Sequence, residues 1–191
     1  MTPILYRCIY RLLVAFEVRR NHLMDKIYTE GLRQKLDACG HDVRFLYPVF
    51  ISNPESVRIG NNVQINRGAF IRSSGGLTIG DNVYAARNLT IYTVNHNYSG
   101  TALPFDDTII KKSVVIKKNV WIGINVTIIP GVTIGEGAII GAGSIVSNDV
   151  PPLGIVGSAP LRIIRYRDNQ HYSQLEANQS YFTWSEYTRD R

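Results

Sequence analysis

The sequence predicts an all-β fold: a parallel β-helix of hexapeptide repeats, with an N-terminal helical segment and an extended C-terminal tail. Three observations carry this. Ile116, Ile122, Ile128, Ile134, Ile140 and Val146 fall every six residues without a miss. Four positions after each stands a small or branched residue: Val120, Val126, Val132, Ala138, Ser144 and Val150. An earlier block, Ile59, Ile65 and Ile71, repeats the pattern, slips by two residues, and resumes at Ile79, Ala85 and Ile91. Glycines follow several of these aliphatic positions directly, at Gly60, Gly80, Gly123, Gly135 and Gly141.

A period of six suits neither a helix of about 3.6 residues per turn nor a simple strand of period two. It suits a short strand and a turn, repeated. Three such units close a triangular coil, and coils stack about 4.8 Å apart. The aliphatic residues then lie above one another in a solid core. Four coils are expected, starting near Ile59, Ile79, Ile116 and Ile134. A β-sandwich is the competing fold, but its strands would not hold one fixed period.

The elements follow in order. Residues 1–40 form an N-terminal helical segment, in which Ile4, Leu5, Ile9, Leu12, Leu13 and Phe16 recur at helical spacing. Arg7, Arg11, Arg19 and Arg20 punctuate that pattern; a break is expected near Gly31 and an end by Gly40. Such a helix packs on its own domain or on a neighbouring subunit, or rests on an anionic membrane surface. The β-helix occupies residues 57–150. A loop at residues 92–115 interrupts it and must project outward. Residues 151–191 leave the helix at Pro151 and Pro152 as a C-terminal extension in which Tyr172, Tyr181, Phe182, Trp184 and Tyr187 are available for packing.

Composition narrows the partners. With 21 Lys and Arg against 15 Asp and Glu, the 191-residue chain carries a net charge of +6, which favours an anionic partner. No zinc finger or aromatic ribonucleoprotein motif is present, so no nucleic acid is expected. Cys8 and Cys39 have no metal-ligand spacing and read as reduced packing residues. The apolar start lacks the features of a signal peptide, and no apolar run reaches the length of about 18 residues that a spanning helix needs. The expected location is cytoplasmic.

The run VWIGINVTIIPGVTIGEGAIIGAGSIVSNDVPPLGIVGSAPLRIIR, Val120 to Arg165, resembles the hexapeptide-repeat acetyltransferases, above all their galactoside and maltose O-acetyltransferase branch and relatives that decorate surface polysaccharides. The resemblance covers about residues 57–165. It implies a left-handed β-helix, a homotrimer, and acetyl-CoA as cosubstrate in a groove between neighbouring helices, with no metal. His96 matches the family's catalytic histidine, and Asn66, in QINRG, matches an asparagine that binds the acceptor. Trp121 matches the tryptophan flanking the thioester and pantetheine channel. Ala86 and Ala142 match small positions whose backbone meets the pantetheine amides. Arg162 and Arg165 match basic residues near the cofactor's phosphates. Asn148 stands where the family commonly has Lys, Ile124 where it often has a small residue, and the helical N-terminus differs from the galactoside and maltose enzymes. That last departure turns the expected acceptor from a small free sugar toward a glycan or glycolipid intermediate, with peripheral membrane contact through the N-terminal helix.

The chemistry suits a lone imidazole. Acyl transfer from a thioester needs the acceptor hydroxyl made nucleophilic, and a neutral imidazole, ordinarily titrating near 6.5, takes such a proton at cellular pH. The expected reaction is acetyl transfer from acetyl-CoA to a sugar hydroxyl in surface polysaccharide or lipopolysaccharide biosynthesis. The alternatives are an N-acetyltransferase acting on an amino sugar and a non-catalytic structural β-helix. A zinc-dependent β-helical carbonic anhydrase would need three histidines from adjacent coils, and these coils carry none.

Overall fold

A computed structural model of the chain describes residues 3–99, 101, 105, 107–157, 162–166 and 168–179. The helix α1 (Pro3–Arg33) leads into five stacked coils. Coil 1 contains β1 (Ala38–Cys39), β2 (Arg44–Phe45) and β3 (Val49–Ser52). Coil 2 contains β4 (Val57–Ile59), β5 (Gln64–Ile65) and β6 (Ala69–Arg72). Coil 3 contains β7 (Leu77–Ile79), β8 (Tyr84–Ala85) and β9 (Thr90–Tyr92). A hairpin, β10 (Val94–His96) and β11 (Ile109–Lys111), follows before coil 4 resumes with β12 (Val114–Ile116), β13 (Trp121–Ile122) and β14 (Thr127–Ile128). Coil 5 holds β15 (Thr133–Ile134), β16 (Ile139–Ile140) and β17 (Ile145–Val146). The chain closes with β18 (Gly154–Gly157), β19 (Arg162–Tyr166) and the helix α2 (Asn169–Ala177).

The expected β-helix of hexapeptide repeats is what these strands build. Its three sides are parallel sheets. The first runs β1-β4-β7-β12-β15, the third β3-β6-β9-β14-β17. The second runs β2-β5-β8-β13-β16-β18 and ends on β19, which pairs antiparallel with β18. Registers place like on like: Ile59 on Ile79 on Ile116 on Ile134, and Ile71 on Ile91 on Ile128 on Val146. All of these are buried. Each such aliphatic side chain taken from water stabilises the stack by about 1.5–3 kcal/mol.

A coil precedes the four expected from the periodicity. Cys39, Phe45 and Ile51 keep the spacing of six and pair in register with Ile59, Ile65 and Ile71. Cysteine and phenylalanine in the inward places, with the cis Tyr47–Pro48 peptide between, hid it from an aliphatic pattern. The chain also stays on the stack beyond Pro151 and Pro152, where β18 adds a strand to the second side.

Nor does α1 break near Gly31. Its last turns are held against the open end of coil 1. Leu32 is buried in the core, and Thr29 Oγ1 accepts from the Phe45 N–H at 3.0 Å. The Tyr28 hydroxyl donates to the Val49 carbonyl, and Arg33 donates to the Gly40 carbonyl at 2.8 Å. Asp25 accepts from the Tyr47 N–H at 2.8 Å and pairs with Arg67 at 3.1 Å. Glycine in a helix costs about 1 kcal/mol relative to alanine, which these contacts outweigh.

At the edge between the first and second sides, asparagines in left-handed conformation stack. Asn62 donates to Asn82 and Asn82 to Asn119, each at 2.9 Å. α2 docks on the end of this ladder. Asn119 donates to the Tyr172 hydroxyl at 2.7 Å, and that hydroxyl donates to Glu136 at 2.8 Å. Lys118 binds Glu176 and lies 3.6 Å from Glu136. Gly137 lies beneath at φ 69°, and a Cβ there would stand 2.7 Å from the Tyr172 ring. Tyr181, Phe182, Trp184 and Tyr187 lie outside the described residues.

Candidate active site

The predicted site residues fall on two edges of the prism. Asn66, Ala86 and Ala142 lie in successive turns between the second and third sides, just past β5, β8 and β16. His96 ends β10, in the hairpin that leaves the stack between the third and first sides. A full side of the prism separates those edges, on the order of 13 Å for four extended residues. One chain therefore does not bring His96 to Asn66.

The Asn66 edge is tight and regular. Asn66 is buried; its amide donates to the Ala85 carbonyl at 2.8 Å, and its side-chain oxygen accepts from Gln64 at 3.2 Å. The backbone N–H groups of Ala86 and Gly123 donate to the carbonyls of Ile122 and Ile140 in the next coil, at 2.9 and 2.8 Å. A Cβ on Gly123 would lie 2.7 Å from the Ala142 nitrogen, so only glycine lets these turns stack. Ala142 is exposed and Ala86 half-buried, which leaves a narrow strip of backbone beside Trp121. Trp121 pairs in register with Tyr84 and Ile139 on the second side and is 54 % exposed. A slender amide chain with an apolar stem fits such a strip: small residues admit it and the indole supplies a wall.

The His96 edge is polar and projecting. β10 and β11 pair antiparallel, with His96 opposite Ile109 and Asn95 opposite Ile110. Thr93 anchors the hairpin's base. Its hydroxyl donates to the Arg72 carbonyl at 2.9 Å and accepts from the Gly75 N–H at 2.8 Å. The His96 ring is exposed and stacks on Phe105, with centroids 4.0 Å apart and planes at 17°. An imidazole held by a flat apolar partner keeps its nitrogens free to exchange a proton.

Gln64 and Phe105 were not singled out from the sequence. Gln64 occupies an outward place of a hexapeptide, where polarity carries no signal. Phe105 lies in a loop without period. Arg162 and Arg165 lie on β19, opposite Gly157 and Ile155; their side chains lie outside the described residues. Among the described residues no group of three or more His, Cys, Asp and Glu is arranged to hold a metal ion.

A β-helix with small residues along one edge and a lone histidine on a projecting hairpin defines a class: the hexapeptide transferases. The family model described as bacterial transferase hexapeptide (six repeats) matches residues 113–148. No curated protein sequence matches. Among solved structures, a hexapeptide-repeat containing acetyltransferase from Vibrio cholerae, complexed with acetyl coenzyme A, is 32% identical. The match covers 78% of this chain and 81% of that one, with a TM-score of 0.67. A galactoside acetyltransferase in complex with coenzyme A is also 32% identical, over 74% of this chain and 70% of that one, with a TM-score of 0.66. A mutant N-acyltransferase from Bacillus cereus, in complex with dTDP-4-amino-4,6-dideoxyglucose and coenzyme A, is 26% identical over 80% of this chain and 96% of that one, with a TM-score of 0.61. The chain belongs to the hexapeptide-repeat acetyltransferase family.

Proposed function

We propose that the protein transfers an acetyl group from acetyl-CoA to a hydroxyl of a sugar, in the making of a surface polysaccharide or lipopolysaccharide. The observation that carries this is the exposed His96, presented on a hairpin where the hexapeptide ladder is interrupted. It stands in a chain 32% identical to a galactoside acetyltransferase. The His96 imidazole takes the acceptor's hydroxyl proton as the oxygen attacks the thioester carbon. It then delivers that proton to the departing thiolate. Proton transfer of this kind contributes about 10²–10⁴-fold in rate. Asn66 orients the acceptor, held in turn by Gln64. Trp121 and the strip from Ala86 to Ala142 hold the acyl chain of the donor, and Arg162 and Arg165 its phosphates.

The separation of the two edges supports a homotrimer. His96 of one copy meets Asn66 and Trp121 of the next across a groove, and symmetry closes the ring after three copies. The protein works in the cytoplasm, on an acceptor made at the inner face of the membrane.

A thiol-release assay with acetyl-CoA and a panel of sugars and lipid-linked glycans tests the reading. Product that loses its acetyl group in mild base is an ester and supports it; a base-stable amide would replace it with the second reading. That second reading, N-acetylation of an amino sugar, draws on the likeness to the N-acyltransferase bound to an amino-sugar nucleotide.

A further inference from the structure

The docked part of α1 presents one face to coil 1 and leaves the opposite face bare. Asp25, Tyr28, Thr29 and Leu32 touch the solenoid. Leu23 and Ile27, within the same turns, are 57 % and 58 % exposed. At about 100° per residue, Leu23 lies on the opposite side of the helix from Leu32. The bare face continues toward the N-terminus through Phe16, Leu12, Ile9 and Leu5, at spacings of seven, four, three and four residues from Leu23. All four are exposed, Leu12 to 70 % and Phe16 to 65 %. The stripe from Leu5 to Ile27 is about 33 Å long.

Its direction is set by the docking. From Arg33 at the Gly40 turn to Asp25 at Tyr47 and Arg67, α1 runs from one edge of coil 1 to another. It thus lies across the end of the stack, with its apolar stripe facing away from the coils. The charge around the stripe is cationic: Pro3–Arg20 holds four arginines, Arg7, Arg11, Arg19 and Arg20, against Glu17 alone, a net +3. Long arginine side chains at a stripe's margin reach outward to anionic headgroups while their stems stay in apolar surroundings. No helix among the described residues is long and apolar enough to cross a membrane.

We infer that α1 is an in-plane anchor. Its Leu5–Ile27 stripe lies in the interface of an anionic lipid bilayer, and the solenoid stands on that bilayer by its first coil. The occupant is lipid rather than protein because a long apolar stripe at the outer end of the stack, with cations at its margins, matches an anionic interface in both polarity and sign. The inference deepens the membrane-side acceptor proposed above, and α1 would bind lipid whether or not that acceptor is right.

The test is flotation of the full chain with two vesicle types, phosphatidylcholine alone and a 3:1 mixture with phosphatidylglycerol, at low and high salt. Two double variants separate the faces. Leu12→Gln with Phe16→Gln alters the stripe; Val14→Gln with Val18→Gln alters the arc continuous with the docked face. Thiol release with a soluble acceptor and gel-filtration mass check that both stay assembled. Expected is binding to the anionic vesicles that weakens with salt, falls at least about tenfold in the stripe variant and stays near wild type in the other. Failure of the wild type to float, or equal loss in both variants, would overturn the inference. A drop in oligomer mass confined to the stripe variant would also overturn it, by making the stripe a contact between copies. Failure of the activity assay alone would count against the acetyl-transfer reading and leave the anchor standing.

Discussion

The two edges that flank the third side of the prism are built in opposite ways. Between the second and third sides, the coils turn through the same narrow path. Gly68, Asn88, Asn125 and Gly143 all take positive φ, Asn88 donates to Asn125 at 2.8 Å, and Gly123 leaves no room for a side chain. Between the third and first sides, coil 3 abandons the path and sends out the β10–β11 hairpin. Regularity provides a fixed backbone on which a long ligand can be laid. Interruption provides a side chain, His96, standing clear of the stack. Neither edge makes an active site alone, and the difference explains why the fold would assemble to work.

The largest effect should come from the interrupted edge. His96→Ala is expected to lower kcat by about 10²-fold or more with the fold intact, since a general base is lost and no packing with it. A thiol-release assay beside a circular-dichroism spectrum checks this; wild-type turnover would remove His96 from the mechanism.

On the regular edge, Asn66→Ala is expected to cost activity and stability together. The Asn66 amide covers the buried Ala85 carbonyl and receives Gln64. Leaving such a group unpaired costs about 1–3 kcal/mol. Acceptor kcat/KM should fall by about tenfold, which corresponds to about 1.4 kcal/mol, and the urea midpoint should fall with it. A variant that loses activity at unchanged midpoint would show that Asn66 acts on the acceptor alone.

Arg162→Ala with Arg165→Ala is expected to raise the acetyl-CoA KM several-fold, up to about tenfold, with kcat nearly unchanged, because only uniform binding is removed. The effect should shrink in high salt. An unchanged donor KM would make these arginines surface charges.

Smallest is the effect of loosening α2. Burial and the Glu136 carboxylate raise the Tyr172 hydroxyl to about 12, against an ordinary value of 10.0. A raised pKa means that the neutral hydroxyl is the form stabilised on folding. Its contribution is therefore complete below pH 10 and is lost as pH rises toward about 12. Tyr172→Phe, which removes the bond donated to Glu136, should destabilise the docked helix by about 1 kcal/mol. Hydrogen exchange across Asn169–Ala177 should quicken in the variant, while turnover stays level.

The core was legible because it repeats. Inward residues such as Ile116, Ile122 and Ile128 are set by a local rule of spacing, and the structure buries each of them. Coil 1 obeys the same rule with Cys39 and Phe45 in place of isoleucine, so the composition hid what the spacing held. The return of α2 was not legible. Tyr172 meets Asn119 and Glu136 across separations of 53 and 36 residues, and no local pattern encodes such a contact. In the site, His96 was marked by its place in a break, and Ala86 and Ala142 by family likeness. Their division between two edges emerged only when the turns were assigned to sides.

The claim that the site is shared between copies can be tested by complementation. One inactive variant carries His96→Ala. The other keeps His96 but has its regular edge blocked by Asn66→Ala and Ala142→Trp. Unfolded together in equal amounts and refolded, they would form mixed trimers in which about one groove in four pairs an intact His96 with an intact edge. The account predicts activity near a quarter of wild type from the mixture, well above the sum of the two parents. Activity no higher than that sum, in trimers shown by mass to be mixed, would contradict it.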